Sequence, residues 1–469
     1  MSTTSNVSAG KRIEALLDDN SFVEIGSLVK ARNTDFNMAQ KETPADGVIT
    51  GYGRINDTLV YVYSQDSTVL GGSVGEMHAK KIAKIYDMAM KMGAPVIGLV
   101  DCAGLRLEEA TDALNAFSEI YLKKTLASGV VPQITAIFGR CGGGLAVLGQ
   151  LSDFTLMESN AKLFVNSPNA IDGNYEGKCD TASAKFQSAE TSNVDYTGDE
   201  NEVIEKIREL VDLLPGNYQE GIPYVECQDD LNRLCEGIDG SIDDIQTLLQ
   251  MISDNGQLFE TKKDYAPDMV TGFIRLNGDT VGVVANNSDL LTSNGSEKAA
   301  EFVNFCDAFG IPVVSFTNVT GYETTIEEEK KVAKAAAKLT YAFANATVAK
   351  INVIIGNALG SAYVVMNSKG IGADIVYAWP EAKIGMMNAE SAAKIIYADE
   401  IAKSKNANEI IAEKAAQYDK LQLSTQSAAE RGYVDSIIEP EDTRIYLIGA
   451  LEMLISKRDE RISKKHGTV

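Results

Sequence analysis

Two clusters of small residues, Gly142-Gly143-Gly144 and Gly360-Ser361-Ala362, each follow an apolar run and precede a stretch with helical spacing. Residues without bulk let a ligand come close to the main chain. Two successive N–H groups at a helix start, aimed at one oxygen, form an oxyanion hole, and loss of one such donor costs about 3–4 kcal/mol of barrier. Close helix-to-strand packing also selects Gly and Ser, so either cluster alone is ambiguous. Their symmetric placement favours the donor role, and two clusters suggest two enolate-like oxygens. Side-chain chemistry is scarce beside them. The chain holds two histidines, His78 and His466, which excludes a histidine metal cluster and all but excludes a Ser-His-Asp relay. No metal is expected. The run Gly71–Gly75 matches G-x-S-x-G with Ser73 at its centre, but His78 follows five residues later on the apparent next helix and cannot turn back onto that hydroxyl.

A further chemical signal is Ala89-Met90-Lys91-Met92, the tetrapeptide that surrounds the biotinylated lysine of biotin carrier domains. Such a lysine sits at the tip of a hairpin in a small all-β domain. Here Ile82, Ile85 and Ala89 recur at helical spacing, Gly93 stands at a C′ position and Pro95 just beyond. The pattern predicts a helix terminus with Lys91 facing solvent in the last turn, where a cation suits the dipole. Biotinylation of this chain is not expected.

The elements that must carry the two clusters repeat. Gly93, Gly104, Gly139 and Gly143 recur in register as Gly310, Gly321, Gly356 and Gly360, each 217 residues on, and upstream "DGVITGYGRINDTLVYVYSQD" parallels "DMVTGFIRLNGDTVGVVANNS". Each half is a unit of about 200 residues, the size of one domain. Within a half, two β-rich runs, a helix, a buried strand, a helix and another strand alternate, which indicates an α/β protein. A helix over 296–309 places Ala299, Phe302, Val303 and Cys306 on one apolar stripe. Residues 172–203 read as an irregular polar segment, the domain boundary is expected near 225–255, and 394–469 reads as helix-rich with a basic tail.

With 43 basic and 66 acidic residues the net charge is −23, which argues against a nucleic-acid or anionic-membrane surface. An anionic ligand must meet a local cluster of cations. The six cysteines form no C-x-x-C pair, and no apolar run approaches a membrane span, so reduced thiols and a cytoplasmic location are expected.

The runs "SQDSTVLGGSVGEMHAKKI", "GAPVIGLVDCAGLRLEEA", "ASGVVPQITAIFGRCGGG", "GSAYVVMNSKGIGADIVYAWPEAKIG" and "AAERGYVDSIIEPEDTRIYLIGALEMLISKRDERISKKHG" carry a resemblance over nearly the whole chain. They are similar to the carboxyltransferase subunit of biotin-dependent acyl-CoA carboxylases and decarboxylases. The resemblance implies two tandem crotonase-like domains of the ββα-spiral (ClpP/crotonase) type, 1–235 on the acyl-CoA side and 236–469 on the biotin side. It implies a homo-oligomer, dimer or hexamer, with active sites at subunit interfaces. Biotin is then carried on a separate domain or subunit, and the partners are a biotin carboxyl carrier protein with a biotin carboxylase or a membrane decarboxylase subunit. Carried over by position, Gly143 and Gly144 hold the thioester oxygen of coenzyme A, and Ser361 and Ala362 hold the biotin ureido oxygen. Gly72, Ser73, Gly104 and Arg106 fall near the CoA site, and Gly321 and Gly360, the repeat counterparts of Gly104 and Gly143, are the substrate-binding candidates of the second half. Lys80, Lys81 and Arg106 are candidate cations for the CoA phosphates. Val364 occupies a position associated with acyl-chain choice. Cys102 and Ala103 depart from the family's D-S-G-G-A-R turn, and Ser361 replaces a common glycine. Two other readings stay open: a crotonase-type hydratase or thioester hydrolase with Glu108 or Glu109 as base, and a non-catalytic subunit of a carboxylase complex.

Overall fold

The computed structural model describes residues 9–33, 36 and 38–461. His466 and the end of the basic tail lie outside the described residues. The chain divides into two compact units, one ending at Pro223 and the other beginning at Tyr224.

Unit 1 runs α1 (Ala9–Leu16), β1 (Val23–Glu24), β2 (Val48–Ile55), β3 (Thr58–Gln65), α2 (Glu76–Met92), β4 (Val96–Cys102), α3 (Ala110–Ala127), β5 (Gln133–Gly142), α4 (Gly144–Gln150), β6 (Phe154–Glu158), β7 (Lys162–Phe164), α5 (Ala184–Ala189), β8 (Tyr196–Gly198) and α6 (Glu200–Leu213). Its sheet has the order β1-β2-β3-β4-β5-β6-β8, with β7 pairing the far end of β5. The β2–β3 hairpin is antiparallel, and β3 to β8 are parallel. Parallel neighbours need crossover helices, and both faces of such strands are buried; β4 accordingly reads VIGLVDC, with one residue short of full burial. α2 covers the sheet with Ile82, Ile85 and Ala89, all buried, and ends at Gly93 in the left-handed conformation. Lys91 is exposed, so the AMKM run is the helix terminus that its spacing predicts. The polar segment 172–203 is more regular than expected: it contains α5, the edge strand β8, and the start of α6, which a capping box between Asp199 and Glu202 begins. Local caps and sheet-edge pairing order it despite its weak periodicity.

Unit 2 repeats the plan. It runs α7 (Ile245–Ile252), β9 (Phe259–Thr261), β10 (Met269–Leu276), β11 (Asp279–Asn286), β12 (Leu290–Leu291), α8 (Ser293–Ala308), β13 (Val313–Val319), β14 (Gly321–Tyr322), α9 (Ile326–Glu329), α10 (Val332–Asn345), β15 (Lys350–Leu359) and α11 (Gly360–Val365). It continues with β16 (Ile375–Ala378), β17 (Lys383–Gly385), α12 (Ala389–Ile396), α13 (Ala398–Lys403), α14 (Ala407–Tyr418), α15 (Thr425–Glu430), β18 (Ser436–Ile437) and α16 (Thr443–Leu454). The sheet order is β18-β16-β15-β13-β11-β10-β9, with β17 on β15, which read in reverse repeats the order of unit 1. α8 buries Ala299, Phe302, Val303 and Cys306, as the stripe predicts. The segment 224–235, placed with the first half from the sequence, hydrogen-bonds into unit 2: Val225 N donates to Gly278 O (3.0 Å) and Cys235 N to Glu441 O (2.8 Å).

The duplication extends to internal fasteners. Arg208 of α6 donates to Leu16 O (2.6 Å) and to Asp18 (2.8 Å) just past α1, and Arg444 of α16 donates to Ile252 O (2.7 Å) and Asp254 (2.6 Å) just past α7. Lys81 of α2 is buried and donates to the carbonyls of Ala45 and Val48; its counterpart 217 residues on, Lys298 of α8, donates to Lys262 O and Tyr265 O, both at 2.8 Å. Buried ammonium groups survive only when their protons are matched, and here they tie a helix to the loop before the central hairpin.

Candidate functional site

In unit 1 the loop that follows β4 is set by a buried ionic knot. Arg106 is 1% exposed, and its guanidinium pairs with Asp46 (2.5 Å) and Glu109 (2.8 Å) while donating to Ser73 O (2.7 Å). Glu109 in turn accepts the Glu76 N–H at 2.6 Å. The knot corrects one expectation: Arg106 points inward and cannot reach a CoA phosphate. Lys81 is withdrawn for the same reason, and burial pushes its ammonium down to about 8. Lys80 is exposed but paired with Glu76 at 2.6 Å. Gly72 needs its lack of a side chain, because it has φ +66° and a Cβ would run into the Asp101 carbonyl. Ser73 and Gly72 thus shape the loop against the end of β4. His78 lies within α2, bonded through its ring to Asp46 O (2.9 Å) and Gln65 (3.1 Å), and desolvation drives it down to about 3. No relay with Ser73 exists.

The Gly142–Gly144 turn is built by β7 pairing with the end of β5. Gly143 adopts φ +62°, ψ −128°, and its N–H donates to Phe164 O at 2.8 Å. That amide is therefore engaged within the sheet and is not a free donor, contrary to the expectation for Gly143. The next carbonyl accepts from Ala146 N (3.1 Å), so the first-turn amides left without an intrahelical acceptor are those of Gly144 and Leu145. Gly144 opens on a cavity of about 530 Å³ lined by Leu105, Thr111, Asn115, Phe117, Ser118 and Tyr121, together with Leu114. Leu105, on the cavity wall, adds a candidate donor that its residue type does not signal. Its bridge to Val74 uses the Gly104 carbonyl and the Arg106 N–H, both 2.9 Å from Val74, so its own N–H faces the opposite side. An apolar side chain gives no hint of a useful amide. The cavity wall was more accessible, because Leu114, Phe117, Ser118 and Tyr121 stand at i, i+3, i+4 and i+7 of one helix. Tyr121 donates to Gly144 O and packs against Phe117 with the rings tilted by 60° and their centroids 5.0 Å apart.

Unit 2 repeats the geometry with different chemistry. Gly360 has φ +62°, and the first turn of α11 leaves the Ser361 and Ala362 amides without intrahelical acceptors. Gly360 and Ser361 line a cavity of about 660 Å³ whose other walls include Tyr363, Val364, Ile384, Met386 and Tyr433. Ala362 is buried beneath it. Gly321 lies in β14, which pairs with β12 and packs against α11; it supports the helix start and does not line the cavity. Val364 is half exposed on the cavity wall.

Neither of the two carboxylates that could serve as base is free to do so. Glu109 is locked to Arg106, and Glu108 pairs with Lys41 at 2.9 Å, which holds its carboxyl below the usual range. Among the described residues no group of His, Cys, Asp and Glu is arranged to hold a metal ion.

Two tandem spirals of strand, strand and helix, each presenting a glycine turn beside a cavity, define a crotonase-like α/β protein. Residues 5–469 match the carboxyl transferase domain model, and the chain belongs to that family. It is an acyl-CoA carboxyltransferase. It is similar to the methylmalonyl-CoA decarboxylase subunit alpha of Veillonella parvula, 40% identical with 99% of this chain and 93% of that protein covered. It is equally similar to the propionyl-CoA carboxylase carboxyltransferase subunit of Haloferax mediterranei, at 40% identity and the same coverage. One chain of transcarboxylase 12S, whose hexamer was solved with hydrolysed methylmalonyl-CoA bound, superposes with a TM-score of 0.95 at 36% identity, covering 99% of this chain and 93% of that one.

Proposed function

We propose that this protein moves a carboxyl group between carboxybiotin, held on a separate carrier, and the α-carbon of a short-chain acyl-CoA. The cavity of unit 1 takes the thioester, with its oxygen facing the Gly144 and Leu105 amides. The cavity of unit 2 takes the biotin ring, with the ureido oxygen at the first turn of α11, where Ser361 and Ala362 lie. Carboxybiotin supplies the CO2, and its ureido nitrogen supplies the base. The protein's part is to hold the thioester oxygen as it gains charge, orient the α-carbon, and exclude water. Transcarboxylase 12S binds methylmalonyl-CoA and assembles as a hexamer; by analogy we assign a malonyl-CoA-sized or methylmalonyl-CoA-sized substrate and a homo-oligomer in which both cavities contribute to one active site. A biotin carboxyl carrier protein and either a biotin carboxylase or a membrane decarboxylase subunit complete the system, in the cytoplasm or on its face of a membrane. No helix among the described residues is long and apolar enough to cross a membrane.

The observation that carries this reading is the repeated pairing of a cavity with first-turn amides, at Gly144 and at Ser361. Incubation of the purified protein with malonyl-CoA or methylmalonyl-CoA tests it. CO2 release that depends on added biotin is expected. Acyl-CoA turnover independent of biotin would indicate the hydratase or hydrolase reading, and inactivity with both biotin and an intact carrier would leave a structural subunit.

A further inference from the structure

Most cations in unit 2 are matched by carboxylates or carbonyls. Lys369, on the wall of the 660 Å³ cavity, holds Asp435 (2.7 Å) and the Asp374 carbonyl (3.0 Å), and Lys383 holds Asp419 at 2.7 Å. Arg431 differs. It is exposed at the end of α15, it lines the same cavity, and no carboxylate among the described residues lies within ion-pair distance of it. Its one hydrogen bond is a long contact from Nη2 to Leu421 O, 3.4 Å. The adjacent carboxylate, Glu430, is engaged with Gln426 at 2.9 Å. Of the two cations that line this cavity, Lys369 is paired with a carboxylate and Arg431 is not. The rest of the wall is largely apolar or aromatic: Tyr363, Val364, Ile384, Met386 and Ala428. A guanidinium presents a planar fork of donors that fits a carboxylate with two parallel bonds.

We infer that Arg431 is the anion-binding residue of the unit 2 cavity, and that it holds a carboxylate attached to the ring system which fills the apolar part. The inference rests on the proposal that this cavity receives biotin. Two carboxylates are then possible, the carboxyl group in transit on the ureido nitrogen and the carboxylate that ends the tail of free biotin, and they can be told apart. The assay is malonyl-CoA decarboxylation by the full-length protein, driven either by free biotin or by biotin methyl ester, with wild type, Arg431→Gln and Arg431→Lys.

If the tail carboxylate is the ligand, the ester has a KM about tenfold above that of free biotin with wild type. Arg431→Gln then raises the free-biotin KM to the ester value and leaves the ester unchanged, as expected for loss of a partly exposed charged pair. If the transferred carboxylate is the ligand, Arg431→Gln lowers kcat/KM about tenfold with both forms, and Arg431→Lys recovers part of it. In either case the KM for malonyl-CoA and the thermal midpoint stay at wild-type values. Wild-type kinetics of Arg431→Gln with both forms overturns the inference. So does a variant whose thermal midpoint falls together with affinity for both substrates, because that assigns Arg431 a structural role. A wild-type enzyme inactive with both forms refutes the biotin reading itself, a result distinct from an active enzyme indifferent to Arg431.

Discussion

Replacing Gly144 by alanine tests the unit 1 cavity at its most constrained point. A Cβ built there lies 2.9 Å from Phe117 Cε1 and 3.1 Å from the Tyr121 hydroxyl. Ordinary carbon contacts lie near 3.5–4.0 Å, so the ring or the turn must give way by roughly 0.6 Å. The ring is not free to retreat alone, because Phe117 packs at a tilt against Tyr121 and the Tyr121 hydroxyl is bonded to the Gly144 carbonyl. Part of the shift therefore passes into the turn that carries the donor amide. Misplacing a positioned group by about 1 Å costs on the order of 10²-fold in rate, and loss of one oxyanion donor costs about 10²–10³-fold. Gly144→Ala should accordingly lower kcat of biotin-dependent malonyl-CoA decarboxylation about 10²-fold. The accompanying stability loss should be about 1–3 kcal/mol, as for other overpacked sites, and is read separately by thermal denaturation. Adding Phe117→Leu removes the closest atom and should restore kcat about tenfold. A Gly144→Ala enzyme within threefold of the wild-type kcat refutes the donor role. A double variant that recovers nothing refutes the steric route.

Two further outcomes follow from the buried groups of unit 1. Lys81→Met strands the carbonyls of Ala45 and Val48 and should cost about 2–4 kcal/mol of unfolding free energy, whereas Lys80→Met, next to it on the surface, should change it by at most about 0.5 kcal/mol; urea denaturation of both variants checks the contrast, and equal effects would remove Lys81 from its structural role. His78 sits at about 3 in the folded protein against an ordinary 6.5, so the unfolded chain takes up the proton first and stability should fall steadily as the pH drops from about 6.5 towards 3. His78→Gln should flatten that slope in urea midpoints taken at pH 7.5 and pH 5, and an unchanged slope would show that other groups control the acid response.

The architecture was legible where it rests on periodicity and on glycine. The 217-residue repeat, the ends of α2 and α8, and the alternation of strand and helix all follow from apolar spacing and left-handed caps, which act locally. The site was legible only in part. The glycine turns announce themselves, but which amide of a turn is free depends on the partner strand, and β7 engages the Gly143 amide from more than twenty residues downstream. Leu105 offers its main chain while its side chain reads as packing. Charge misled for a related reason: Arg106 and Lys81 look like surface cations because such residues are rarely buried, and only the fold reveals Asp46, Glu109 and the loop carbonyls waiting for them.

The arginine fasteners carry a consequence for how such a molecule could arise. Arg208 clips the final helix of unit 1 beside the exit of its first, and Arg444 does the same in unit 2. The first and last helices of each unit are therefore clasped together, so an ancestral gene segment could be copied head to tail with its clasp intact. Each descendant half would then be free to specialise its pocket while keeping the same clasp.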